Sequence, residues 1–83
     1  MKILYFAWLR ERLNRSEEDI DLPADVVTVS DLIAHLSARD EAFALAFEKP
    51  NRIRAAIDTR IVSHDTPLAG GTTVALFPPM TGG

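Results

Sequence analysis

Few side chains in this sequence can do chemistry of their own. Cysteine is absent, which removes disulfides, thiolate metal ligands and cysteine nucleophiles together. The two histidines, His35 and His64, stand at unrelated positions, so a conventional metal site is not expected. The reactive group that remains is at the end, where the sequence closes Phe77-Pro78-Pro79-Met80-Thr81-Gly82-Gly83. Glycine has no Cβ to collide with the walls of a narrow cleft and reaches backbone angles closed to other residues. Pro78 and Pro79 stiffen the approach, because each ring fixes φ and pushes the residue before it extended. The result is a thin arm carrying the Gly83 carboxylate. A carboxylate resists nucleophiles until it is activated. Transfer of AMP from ATP would convert Gly83 to an acyl-adenylate, and a sulfur nucleophile could then displace AMP and leave a thiocarboxylate. In a chain without cysteine, carried sulfur would have to sit on the terminus. The competing reading of Gly82-Gly83 is an inert, frayed chain end.

An arm of this kind needs a rigid base, and the residue pattern supplies one. Residues 2–8 are β-branched, aromatic and aliphatic, with Ile3, Tyr5 and Ala7 on one side and Leu4, Phe6 and Trp8 on the other. That predicts a central strand covered on both faces. Residues 7–14 suggest a short helical turn. Residues 17–22, where Ile20 and Leu22 alternate with Asp19 and Asp21, suit a half-exposed edge strand ended by Pro23. The clearest helix starts at Thr28, with Asp31 in the reciprocal position of a capping box usually held by Glu or Gln. Val29, Leu32, Ile33 and Leu36 then form one apolar face. A shorter helix over 41–47 carries Phe43 and Phe47. Strands are predicted at 52–57 and 60–62 around a tight Asp58-Thr59 turn, and a last strand at 73–77 is ended by Pro78-Pro79.

Two strands, a helix and three further strands give an α+β chain. With the first and last strands parallel at the centre of a mixed sheet, and helices on one face, this is the β-grasp or ubiquitin-like layout. At 83 residues the chain is read as one domain, residues 1–79, followed by a flexible tail, residues 80–83. The opening MKILYFAW is too short for a signal peptide and runs into Arg10, Glu11 and Arg12 without a cleavage site. No apolar run approaches the ~18 residues of a membrane span. A cytoplasmic protein with no membrane partner is expected, and the net charge of −3 argues against nucleic acid.

The residues also resemble a known family, the small sulfur-carrier subunits of molybdopterin synthase (molybdopterin converting factor, subunit 1). The marks are Leu4-Tyr5-Phe6-Ala7 with Arg10-Glu11, then Leu22-Pro23, Thr28-Val29 and Asp31-Leu32, and finally Leu68, Gly71 and the run from Val74 to Gly83. Phe-Pro-Pro-x-Thr-Gly-Gly is the specific one. The sequence departs from the family at Thr72-Thr73, where acidic residues are usual, and at Asp58, where Asn is common. The resemblance implies that an adenylating enzyme activates Gly83 with ATP and that a sulfurtransferase system supplies sulfur. It implies that the thiocarboxylate enters the synthase's large subunit and donates sulfur to precursor Z (cyclic pyranopterin monophosphate), two loaded carriers being consumed per dithiolene. The expected assembly is a heterotetramer with two copies of each subunit. The chain would hold no permanent cofactor and would carry the reactive atom without being the catalyst. A thiazole-type sulfur carrier or a ubiquitin-like protein modifier would share much of this chemistry.

Alternation also predicts where the partner sits. If Ile3, Tyr5, Ile53, Ile57, Val62, Val74 and Leu76 face the helix, then Leu4, Phe6, Ile61, Ala75 and Phe77 face away, and no second helical layer is left to cover them. Contiguous apolar patches of a few hundred Å2 mark interaction sites. Phe6, Ile61 and Phe77 are expected at the interface centre, with Pro78, Pro79, Met80 and Thr81 along the exit. Arg10, Arg52, Arg54 and Arg60 would form a basic rim. Loop cover of these side chains is the alternative. The acidic run Glu17, Glu18, Asp19, Asp21 and Asp25 reads as a solvated edge that discourages strand pairing. His35 is expected to be structural, and Trp8 to lie in either the core or the interface.

Overall fold

The principal helix shows how locally this fold is written. Thr28 caps it: its hydroxyl accepts the Asp31 N–H at 3.2 Å, while the Asp31 carboxylate accepts the N–H groups of Thr28 and Val27, both at 3.0 Å. Aspartate therefore completes the capping box that glutamate usually makes. The computed structural model describes residues 1–79, and its elements follow in chain order. They are β1 (Lys2–Tyr5), α1 (Trp8–Leu13), β2 (Glu17–Asp19), α2 (Val29–Ser37), α3 (Glu41–Ala46), a 3-10 turn (Pro50–Arg52), β3 (Arg54–Ile57), β4 (Arg60–Val62) and β5 (Thr73–Phe77).

The sheet order is β2-β1-β5-β3-β4, with β1 parallel to β5 and every other neighbour antiparallel. This is the mixed β-grasp sheet expected from the pattern, with the first and last strands adjacent at its centre. One face carries the core. Ile3, Tyr5, Ala55, Val74 and Leu76 are buried there with Val29, Leu32, Ile33 and Leu36 of α2, Phe43 and Ala46 of α3, and Leu9 and Leu13 of α1. Burying each such large side chain contributes roughly 1.5–3 kcal/mol, so the sheet is held mainly through this face.

Three strand limits differ from the periodicity. β1 ends at Tyr5, three residues short of the expected end at Trp8, because Ala7 adopts φ 55° and ψ −135° and turns the chain into α1. β2 ends at Asp19, and Ile20 and Leu22 pack against the core from outside the ladder. β3 starts at Arg54, since Pro50, with φ preset by its ring, opens a 3-10 turn through Arg52. The expectation that β1 is covered on both faces is not met. Ile3 and Tyr5 are buried, whereas Leu4 is only half-buried and Phe6 is exposed. The helices lie on one side, and the alternation along β1 cannot by itself say which apolar face they take.

Polar groups lock the ends of the layer. The Tyr5 hydroxyl donates to Glu18 at 2.6 Å, and Glu18 also accepts from Arg15 at 3.1 Å and Arg39 at 2.7 Å. Both guanidinium groups lie over the Phe43 ring, at 5.2 and 4.7 Å. Burial and the hydrogen bond to Glu18 push the Tyr5 hydroxyl far above the ordinary tyrosine range. Burial alone would raise Glu18. The bonds from Tyr5 and Arg39, with the charges of both arginines, outweigh it and hold that carboxyl below its usual range.

At the opposite end, Asp58 (φ 46°) and Thr59 (φ 74°) make the tight turn between β3 and β4. The Asp58 carboxylate reaches across to accept the Thr72 N–H at 3.1 Å, the Thr73 N–H at 3.0 Å and the Thr72 hydroxyl at 2.9 Å. Led by the Thr72 N–H, these donors hold Asp58 below the usual carboxylate range. Asp58 and the Thr72-Thr73 pair are thus one feature, with the acid on the turn and its donors on the strand entry opposite it.

Candidate functional site

The outward face of the sheet can be read across its register. Leu4 on β1 pairs with Ala75 on β5, Ala75 with Ala56 on β3, and Ala56 with Ile61 on β4. One row further toward the chain exit, Phe77 pairs with Arg54, and Phe6 follows Tyr5 just past the β1 ladder, its N–H bonded to the Leu76 carbonyl at 3.1 Å. Cross-strand partners share a face, so these side chains form one apolar surface. Ile61 is 70% exposed and Phe6 44% exposed, while Leu4, Ala75 and Phe77 are half-buried. Among the described residues no helix or loop covers this set as the core is covered. Sequence alternation therefore placed Phe6, Ile61 and Phe77 on the correct face.

The chain leaves the sheet from the end of its central strand. β5 lies between β1 and β3, and Pro78 and Pro79 follow Phe77 directly, both half-buried. The prolines and the side chains of Trp8 and Arg52 line a shallow groove. Met80, Thr81, Gly82 and Gly83, the predicted arm and its reactive end, lie outside the described residues.

The predicted basic rim is only partly assembled. Arg54 borders Phe77, and Arg52 stands beside the prolines. Arg10 is exposed on α1. Arg60 is not part of the rim, because it pairs with Ile57, on the opposite face from Ile61, and lines the surface beside Pro67 and Gly71. A one-residue step along a strand reverses the face, which is why proximity in sequence to Ile61 misleads.

Charge is unevenly used. At the β2 edge, Glu17 pairs with Lys2 at 3.1 Å, Asp19 with the N-terminal ammonium at 3.3 Å, and Glu18 with Arg15 and Arg39. The acidic edge is thus substantially neutralised within the chain. Arg10, Arg12, Lys49, Arg52, Arg54 and Arg60 make no ion pair among the described residues. Sequence reasoning left Trp8 undecided and did not single out Arg12. The two are four residues apart in α1, the spacing that stacks side chains on one helix face, and the Arg12 guanidinium lies 5.1 Å from the Trp8 ring centroid.

His64 Nε2 lies 2.6 Å from the Ile53 carbonyl oxygen, so this nitrogen carries the proton and ties the 63–71 loop to the start of β3. His35 is half-buried on α2 beside Glu18, Asp21 and Arg39. Among the described residues no three His, Cys, Asp or Glu side chains are grouped to hold a metal ion, and no helix is long and apolar enough to cross a membrane. The surface presents apolar contact area and cations at the base of the exiting chain, a docking arrangement.

Comparison with known proteins matches residues 3–83 to the ThiS family. The chain is 40% identical over 83 residues to the molybdopterin synthase sulfur carrier subunit of Escherichia coli (strain K12), covering 100% of this chain and 99% of that protein. A solved structure from Pyrococcus furiosus, described as molybdopterin converting factor, subunit 1, superposes with a TM-score of 0.73 at 31% identity over 95% of each chain. Small archaeal modifier protein 1 of Haloferax volcanii superposes with a TM-score of 0.70 over 95% of each chain, and at 23% identity it is a likeness of fold.

Proposed function

Since this chain belongs to the ThiS family, we propose that it serves as the small, sulfur-carrying subunit of a molybdopterin synthase and works through the carboxyl group of Gly83. The observation that carries the reading is the full-length similarity, at 40% identity, to a molybdopterin synthase sulfur carrier subunit. A family match alone does not choose between sulfur carriers. The geometry is consistent with the reading, because the chain runs out from the end of the central strand, beside an apolar sheet face bearing Phe6, Ile61 and Phe77. A partner seated on that face would receive the arm in its own cleft.

In this mechanism an adenylating enzyme transfers AMP from ATP to the Gly83 carboxylate. The acyl carbon then has a good leaving group. A sulfur nucleophile at the hydrosulfide level, delivered by a sulfurtransferase system, attacks it, the acyl C–O bond to AMP breaks and AMP departs, and Gly83 holds a thiocarboxylate. The loaded arm enters the large subunit, and the thiocarboxylate sulfur bonds to a carbon of precursor Z as an oxygen substituent leaves that carbon, so that a thioester joins carrier and precursor. Hydrolysis of the resulting acyl linkage returns the carboxylate for another round, and two rounds complete a dithiolene. The large subunit supplies the pocket and the acid–base groups, in an assembly of two copies of each subunit. This chain supplies reach, through slim residues at the tip, and docking, through the sheet face.

Intact mass after incubation with ATP, the activating enzyme and a sulfur source tests the chemistry. The expected change is one oxygen replaced by one sulfur, located at Gly83 by fragmentation. A chain that stays unmodified under conditions that load an authentic carrier would overturn the proposal. Isopeptide-linked conjugates on protein lysines, in place of transfer to precursor Z, would favour the modifier reading.

A further inference from the structure

Beside the sheet face lies a second feature that the sulfur-carrier reading does not require. Trp8, Arg12, Leu45, Glu48, Lys49 and Arg52 line an open groove between α1, α3 and the 3-10 turn. Its floor is apolar: Leu45 is 57% exposed, and Trp8 is half-buried, packed against the edge of the core. Its walls carry three cations against the single carboxylate of Glu48. None of the three is in an ion pair among the described residues, in a chain whose overall charge is −3. The Arg12 guanidinium is parked over Trp8 at 5.1 Å, where it stays available to an incoming carboxylate. The groove is also continuous with the chain exit, because Trp8 and Arg52 line the adjoining groove formed with Pro78 and Pro79.

Resting on the carrier reading above, we propose that this groove docks an acidic segment of the synthase's large subunit. The segment bears at least two Asp or Glu side chains around an aliphatic residue. The carboxylates meet Arg12, Lys49 and Arg52, and the aliphatic residue sits on Trp8 and Leu45. A cleft that admits the arm must close around its root at Pro78-Pro79, and whatever closes there continues onto Trp8 and Arg52. Unpaired cations in that position select carboxylates. They also steer the encounter, since exposed cations raise the association rate of an acidic partner. The groove adds register to the apolar face: the face gives contact area, and the cations fix the rotation at which the arm meets the cleft.

Trp8 is the only tryptophan, so the chain labelled with 5-fluorotryptophan reports on the groove through a single fluorine resonance. Titration with the unlabelled large subunit should shift that resonance, and the affinity should fall as salt is raised. The triple variant Arg12→Glu, Lys49→Glu, Arg52→Glu should bind roughly tenfold or more weakly at low salt and lose most of the salt dependence. The neutral variant Arg12→Gln, Lys49→Gln, Arg52→Gln should fall between. All three positions are exposed, so the fold is expected to persist, and the circular dichroism spectrum checks it. Equal affinity and equal salt dependence of the unmodified and charge-reversed chains would overturn this inference and leave the carrier reading standing. No binding by the unmodified chain would overturn both. A single-stranded oligonucleotide that shifts the Trp8 resonance at physiological salt, through the same three cations, would overturn it in favour of a nucleic-acid groove.

Discussion

One added methyl group tests how the entry to the arm-bearing strand is built. A Cβ placed on Gly71 would lie 2.6 Å from Ile57 Cγ2 and 3.2 Å from the Leu68 carbonyl oxygen. Carbon atoms rest about 3.5–4.0 Å apart, so the new methyl intrudes by about 1 Å. The backbone cannot step back freely, because the Gly71 N–H is bonded to that same Leu68 carbonyl at 3.0 Å. Ile57 must therefore give way, and it packs against the core edge. No left-handed φ is involved at Gly71 (it is Gly70, at 87°, that needs one), so the effect is steric. Overpacking of this kind costs about 1–3 kcal/mol. For a domain of this size each kcal/mol lowers Tm by about 4–8 °C. The discriminating measurement is a double-mutant cycle by urea denaturation, followed by circular dichroism and Trp8 fluorescence. Ile57→Ala removes Cγ2, so Gly71→Ala should cost at least about 1 kcal/mol less on that background than on the unmodified one. The same cost on both backgrounds would refute the assignment of the strain to Ile57.

Thr59→Gly should stabilise the chain by about 1 kcal/mol, seen as a higher Tm, because a β-branched residue at φ 74° is strained and glycine is not. A lower Tm would mean that the turn does not hold that conformation. Glu18 ties stability to acid. Its folded carboxyl titrates below its unfolded value, so its contribution is complete above the unfolded pKa of about 4.3 and is lost as pH falls through the lower folded value. Glu18→Gln should flatten stability against pH in that acid window, and an unchanged acid limb would count against the Tyr5–Glu18–Arg39 network. Phe77→Asp should abolish binding to the large subunit with the far-ultraviolet spectrum unchanged. Undiminished binding, measured by calorimetry, would remove the sheet face from the interface.

How much of this was readable in one dimension depended on the kind of signal. β4 and β5 occupy the predicted residues, the Asp58-Thr59 turn forms, and α2 is capped by Thr28 and buries Val29, Leu32, Ile33 and Leu36. Each of these rests on spacing and on partners a few residues away, which a sequence displays directly. The outward set of Phe6, Ile61 and Phe77 was legible for the same reason, since alternation assigns faces within a strand. The ends of β1 and β3 were not, because Ala7 at positive φ and the Pro50–Arg52 turn replace the extended backbone that the residue types favour.

The sequence by itself determined the elements, their apolar faces and the chemistry open to a chain without cysteine. The tertiary structure alone decided which elements meet. It set Arg60 on the far side of the sheet from Ile61, put Asp58 against Thr72 and Thr73, fourteen and fifteen residues away, and joined Trp8 to Arg52 and the prolines at the exit. The physical reason is that periodicity describes one strand or helix at a time. Register between strands far apart in the chain follows from burying every apolar face at once, and that is a property of the whole molecule.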